Sequence, residues 1–91
     1  MRTNLSLNFF GTDYTIKFVK NCHRLLADAD AAIEDNVVYL DADASEFEQM
    51  RDLIHELWHI AFPFKPEAVV HMESLVFADF LQANNMLEMP E

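Results

Sequence analysis

Leu5, Leu7 and Phe9 alternate with polar neighbours, and Tyr14, Ile16 and Phe18 repeat the alternation after Phe10-Gly11-Thr12-Asp13. A period of two places each set on one face of a strand, so the two runs and the glycine-containing turn between them predict an N-terminal β-hairpin. Val37-Val38-Tyr39-Leu40, β-branched and aromatic, lies between Glu34-Asp35-Asn36 and Asp41-Ala42-Asp43 and predicts a third strand. The period then changes. Phe47, Met50, Ile54, Leu57, Trp58 and Ala61 recur at helical spacing behind Ser45, and Glu48 completes a capping-box signature. The pattern predicts a helix from Glu46 to Phe62, ended by Pro63.

A last helix is expected from near Pro66 to about Ala83, before Asn84-Asn85, with Val69, Val70, Val76, Phe77 and Phe80 as its apolar side. A short helix is read over Asn21 to Asp30. The elements add up to a small α+β fold of one domain, residues 1–91. Its three strands form an antiparallel or mixed sheet, packed on the two later helices.

Composition agrees with a packed globule: 52% of the residues are apolar, with eight Phe against one Gly and three Pro. Cys22 is the only cysteine, which excludes an intramolecular disulfide and a Cys-rich zinc site. The start, Met1 to Asn8, lacks the continuous apolar stretch of a signal peptide, and no segment has the length of a membrane span. The expected location is the cytoplasm, or that of an infected host for a phage protein. Sixteen acidic against six basic residues give a net charge of −10, which repels phosphate backbones and argues against direct nucleic-acid binding. The same charge admits a DNA-mimicking inhibitor of a DNA-binding protein. Asp28-Ala29-Asp30-Ala31 and Asp41-Ala42-Asp43-Ala44 lack the glycine and the twelfth-position Glu of a calcium loop and read as solvated turns.

The chemistry concentrates in His55-Glu56-Leu57-Trp58-His59. Helix residues four apart lie one turn above the other, so His55 and His59 can each bring an imidazole nitrogen to about 2 Å from one zinc ion. Glu56 is rotated from His55 by about 100° and sits where a general base can reach a metal-bound water. A catalytic zinc takes a third protein ligand, and the metzincin extension with its third His is absent after His59. The last helix offers Glu67, His71, Glu73 and Asp79. Glu73 lies within the expected apolar stripe, where a zinc ion would offset the cost of burying a carboxylate, so it is the first choice. Glu67 and His71 become ligands if that helix is turned differently. Tyr39 and His71 are candidate oxyanion donors. The isolated His23 reads as surface, and Met50, Met72, Met86 and Met89 read as core and tail packing.

His55-Glu56-x-x-His59 joined to a Glu on the next helix resembles the gluzincin branch of the zincins. More closely, it is similar to the minimal bacterial and phage zincin-like proteins, the ImmA/IrrE type among them, over roughly Val37 to Met89. The resemblance implies that His55, His59 and Glu73 hold Zn2+, that Glu56 activates the water, and that the protein is a metallopeptidase acting on a protein or peptide substrate. Trp58 stands where many relatives carry a glycine, and the lower subdomain that completes their cleft is absent. That departure leaves room for a partner protein that completes the cleft, or for a zinc-binding interaction protein without catalysis.

Overall fold

The computed structural model describes residues 4–20, 31–34 and 36–86. Strand β1 (Leu5–Phe9) turns back into β2 (Thr12–Val19), and β3 (Ala31–Glu34) turns back into β4 (Val37–Asp41). Two helices follow, α1 (Glu46–Ala61) and α2 (Glu67–Ala83). The fold is therefore α+β, as the periodicities require.

The sheet has four strands in the order β1-β2-β4-β3, one more than the expected three. β1 and β2 pair antiparallel, as do β3 and β4, whereas β2 and β4 run parallel. The first turn closes between Phe9 and Thr12, with Phe10 and Gly11 both at positive φ, 52° and 79°. Positive φ at both central residues is the two-residue geometry that matches the twist of a hairpin. The second hairpin closes between Glu34 and Val37, where Asn36 takes φ 62°, a value Asn tolerates better than most residues. β3 escaped the sequence reading because Ala31-Ala32-Ile33-Glu34 carries little β-propensity. Its one local signal is the Asp35-Asn36 pair ahead of Val37.

Period-two alternation sorts the sheet's faces. Tyr14, Ile16, Val38 and Leu40 are buried against Leu53 and Leu57 of α1, with Leu5, Leu7, Phe9, Phe18, Met50 and Trp58 packed around them. Gln49 is the exception on the buried side of α1: its side-chain amide donates to the Asp41 carbonyl at 3.0 Å and ties the helix to the end of β4. Asp41 also accepts from the Asp43 N–H at 2.9 Å, so this acidic run serves as a turn, as expected. The expected helix over Asn21–Asp30, with Cys22 and His23, lies outside the described residues. So does Met89.

The start of α1 is held by the predicted capping box. The Glu48 N–H donates to the Ser45 hydroxyl at 3.1 Å, and the Glu48 carboxylate accepts from the Ser45 N–H and hydroxyl at 3.3 and 3.0 Å. Hydrogen bonds from the Ser45 backbone, then from its hydroxyl, hold the Glu48 pKa below its ordinary value. A lowered folded-state pKa means that this stabilisation is present above the ordinary carboxylate range and is lost as pH falls through the folded value. Ser45→Ala is expected to cost about 1 kcal/mol in denaturant unfolding and to raise the Glu48 pKa in a carbon-detected NMR titration. An unchanged Glu48 titration would show that the Ser45 hydroxyl does not contribute to it.

Candidate metal centre

α1 carries His55 and His59 on its last turns, and the local chain brings a third side chain to them. Helix α1 is capped at its C-terminus by Phe62, whose N–H donates to the Trp58 carbonyl at 2.8 Å, and Pro63 prevents continuation. Lys65 closes the short turn by donating its N–H to the Phe62 carbonyl at 3.0 Å, and Pro66 caps α2. A connection this short leaves the second helix beside the first as a helical hairpin. The first turn of α2 therefore lies next to the last turns of α1.

Glu67 occupies that first turn. Its two carboxylate oxygens meet the Nε2 atoms of His55 at 2.8 Å and His59 at 2.6 Å, and the two Nε2 atoms are 3.1 Å apart. Each contact to Glu67 calls for an N–H on the imidazole, so two N–H groups would point into the same small space between the rings. A dication removes both hydrogens and accepts all three donors. Four-coordinate zinc at about 2.0–2.1 Å sets its ligand atoms about 3.3 Å apart, so the observed separations fit after an outward shift of a few tenths of an ångström. The ligand atoms of His55, His59 and Glu67 lie within 4.8 Å of one another, a grouping that could hold a metal ion. The side chains are 17%, 34% and 69% exposed in that order, so the cluster opens to solvent through Glu67. As an ion pair alone, so exposed a carboxylate would contribute little, about 0–1 kcal/mol.

Glu56 lies on the half-buried part of α1, and its carboxyl pKa is raised to about 7. Burial is the main cause; the His59 charge opposes it, and the charges of Glu67 and Asp52 add to it. A carboxyl near neutrality can take up and return a proton at physiological pH. The Glu56 position expected from the motif is thus electrically coupled to the His59–Glu67 pair.

Glu73, the first choice for the third ligand, is not among the side chains that the structure brings to His55 and His59. Its carboxylate accepts from Lys65 Nζ at 2.8 Å, and Lys65 itself lies over the Phe62 ring at 4.3 Å. The cause is the rotation of α2. Its buried residues are Val70, Ser74 and Ala78, all 0% exposed, whereas Val69, Val76, Phe77 and Phe80 of the expected apolar side are exposed. Small side chains let the helices approach closely, and Glu67 continues that inward row by one turn. The legible signal was the small-residue row Val70-Ser74-Ala78 together with the short turn after Pro63.

Among the other candidates, His71 is near, its ring 6.1 Å from that of His55. Asp79 is twelve residues beyond Glu67, about 18 Å along the helix, too far to share a ligand set. Tyr39 alternates with the buried Val38 and Leu40 and points to the sheet face away from α1, which removes it as an oxyanion donor. A cavity of about 450 Å³ between β1, α1 and α2 is lined by Leu7, Met50, Leu57, Trp58 and Phe77 among others, and by none of the cluster residues. Among the described residues no helix is long and apolar enough to cross a membrane.

No protein-family model, curated protein or solved structure matches this chain. The site therefore rests on its own geometry. Glu67→Ala is expected to weaken zinc uptake by more than about 100-fold, beyond the usual effect of losing a group outside the ligand shell. Glu73→Ala should leave uptake within a few-fold of the parent. Zinc competition with a chromogenic chelator measures both, and the reverse order of effects would return Glu73 to the site.

Proposed function

We propose that this protein is a zinc-dependent metallopeptidase of the minimal zincin type, with His55, His59 and Glu67 as the metal ligands and Glu56 as the general base. The convergence of the two Nε2 atoms and the Glu67 carboxylate, on a helix that carries a half-buried Glu56 beside them, is the observation that supports the reading. Zinc bound there supplies Lewis-acid polarisation of a peptide carbonyl and makes a water nucleophilic near neutral pH. Glu56 takes the proton from the attacking water and returns it to the leaving amine. His55 and His59, one turn apart on a capped helix, would hold the metal together with Glu67. The substrate class is a protein or peptide, and the proposed setting is the cytoplasm.

A second reading, a zinc-stabilised interaction protein without turnover, is favoured by one observation: the cavity described above is not at the cluster. The inhibitor that mimics DNA has the charge of −10 in its favour but gives His55, Glu56 and His59 no task.

Glu56→Gln keeps the size of the side chain but cannot carry the proton. With a quenched fluorogenic peptide library as substrate, it is expected to lose about 10²–10⁴-fold in turnover while zinc stoichiometry stays that of the parent. Turnover that survives in this variant would sink the peptidase reading. A zinc-loaded parent that cleaves nothing would transfer the site to the interaction protein.

A further inference from the structure

The two histidines of α1 face a second pair of donors on α2. His55 and His59 are four residues apart on one helix, and Glu67 and His71 are four residues apart on the other. Four residues of helix rise about 6 Å, so each pair spans one turn and the two spans are equal. The helices run in opposite directions from their short connection, which sets His59 level with Glu67 and His55 level with His71. The contacts follow that order. Glu67 reaches His59 at 2.6 Å and His55 at 2.8 Å, and the His71 ring lies edge-on to the His55 ring at 6.1 Å between centres.

Helical angles place Glu67 and His71 on the same flank of α2. At about 100° per residue, Glu67 is displaced about 20° from the mean direction of the buried Val70, Ser74 and Ala78, and His71 about 60° in the same sense, whereas Glu73 lies about 100° off in the opposite sense. Two imidazoles on one tetrahedral zinc have ring centres roughly 5 Å apart when each Zn–N bond is about 2.0–2.1 Å. His55–His59 at 4.7 Å and His55–His71 at 6.1 Å fall on either side of that spacing. The His71 nitrogens are not among the atoms that lie within 4.8 Å of one another. Its side chain is exposed, however, and among the described residues no hydrogen bond or ion pair holds the ring, so turning it inward breaks no such contact.

We propose, on the basis of the zinc centre already assigned to His55, His59 and Glu67, that His71 is a fourth ligand of the same ion and closes its coordination shell in the resting protein. The shell is then three imidazoles and one carboxylate, two donors from each helix, a nitrogen and oxygen set that suits zinc. Zinc with four protein ligands is closed to solvent, whereas a catalytic zinc keeps one position open. His71 is the imidazole farthest from the cluster and the one on the exposed flank, so it is the ligand that leaves. Peptide-bond hydrolysis at this centre therefore requires His71 to swing out before water enters. A His71 that stays in place makes the ion a brace between α1 and α2.

Long-range proton–nitrogen NMR spectra of the zinc-loaded full chain, with nitrogen-labelled histidine, separate zinc-bound ring nitrogens from free ones. Of the four imidazoles in the chain, three are expected to carry a zinc-bound nitrogen in the parent and two in His71→Ala. His71→Ala should also weaken zinc uptake by about 100-fold or more, beyond the effect of losing a group outside the ligand shell, with the far-ultraviolet circular dichroism unchanged. Against the fluorogenic peptides, this variant should turn over several-fold faster per bound zinc than the parent, because one position is open. Lower turnover with the spectra of the remaining imidazoles unchanged makes His71 an oxyanion donor and overturns the fourth ligand. Two zinc-bound imidazoles in the parent overturn it as well and leave the three-ligand centre standing. A parent that takes up no zinc overturns the centre and the fourth ligand together. Three zinc-bound imidazoles in a parent that cleaves nothing uphold the fourth ligand and remove only the peptidase reading.

Discussion

The close approach of α1 and α2 is the constraint on which the rest depends. Val70, Ser74 and Ala78 of α2 are wholly buried, and none of the three is a large side chain. Ser74 is polar but donates its hydroxyl to the His71 carbonyl at 2.9 Å, so its burial leaves no unsatisfied donor. Trp58 and Phe77, with ring centres 5.8 Å apart, set one limit of the contact. With the helices this close, a side chain as short as Glu67 spans both histidines.

That closeness gives the cluster its chemical character. Two imidazoles and one carboxylate converge from two helices, and each helix is fixed at the relevant end, α1 by Pro63 and α2 by Pro66. Glu56 is held in a less polar environment on the same helix, and burial rather than a neighbouring acid is the main cause of its pKa near 7. A proton acceptor near neutrality beside two imidazoles and a carboxylate that could hold a metal is the arrangement on which the proposed peptide-bond hydrolysis rests. The same set, which does not line the cavity between β1, α1 and α2, also suits the alternative proposal of a zinc that only braces a small core.

The packing that brings Glu67 inward turns the larger apolar residues of α2 outward. Small residues at the helix contact and large residues on the outer face are two consequences of one rotation. The outer residues Val69, Met72, Val76 and Phe80 are exposed, while His55, His59 and Glu67 converge on the inner side.

The local sequence was enough to determine the positions of the strongest elements. Alternation at Leu5 to Phe9 and Tyr14 to Phe18 marked the first hairpin, and Ser45 with Glu48 marked the start of α1, because strand period and capping chemistry act over a few residues. His55, Glu56 and His59 were legible for the same reason: a four-residue spacing on a well-marked helix fixes their relative geometry without further information. The strand Ala31–Glu34 was hidden because its residues join the sheet through β4 rather than through their own propensity. The third donor was decided only by the tertiary structure. α2 is apolar around most of its circumference, so periodicity gave it no single inward direction, and Glu73 appeared to lie in the stripe. Which face turned inward was settled by the fit of Val70, Ser74 and Ala78 against α1, a contact between helices that brings Glu67, and not Glu73, to His55 and His59.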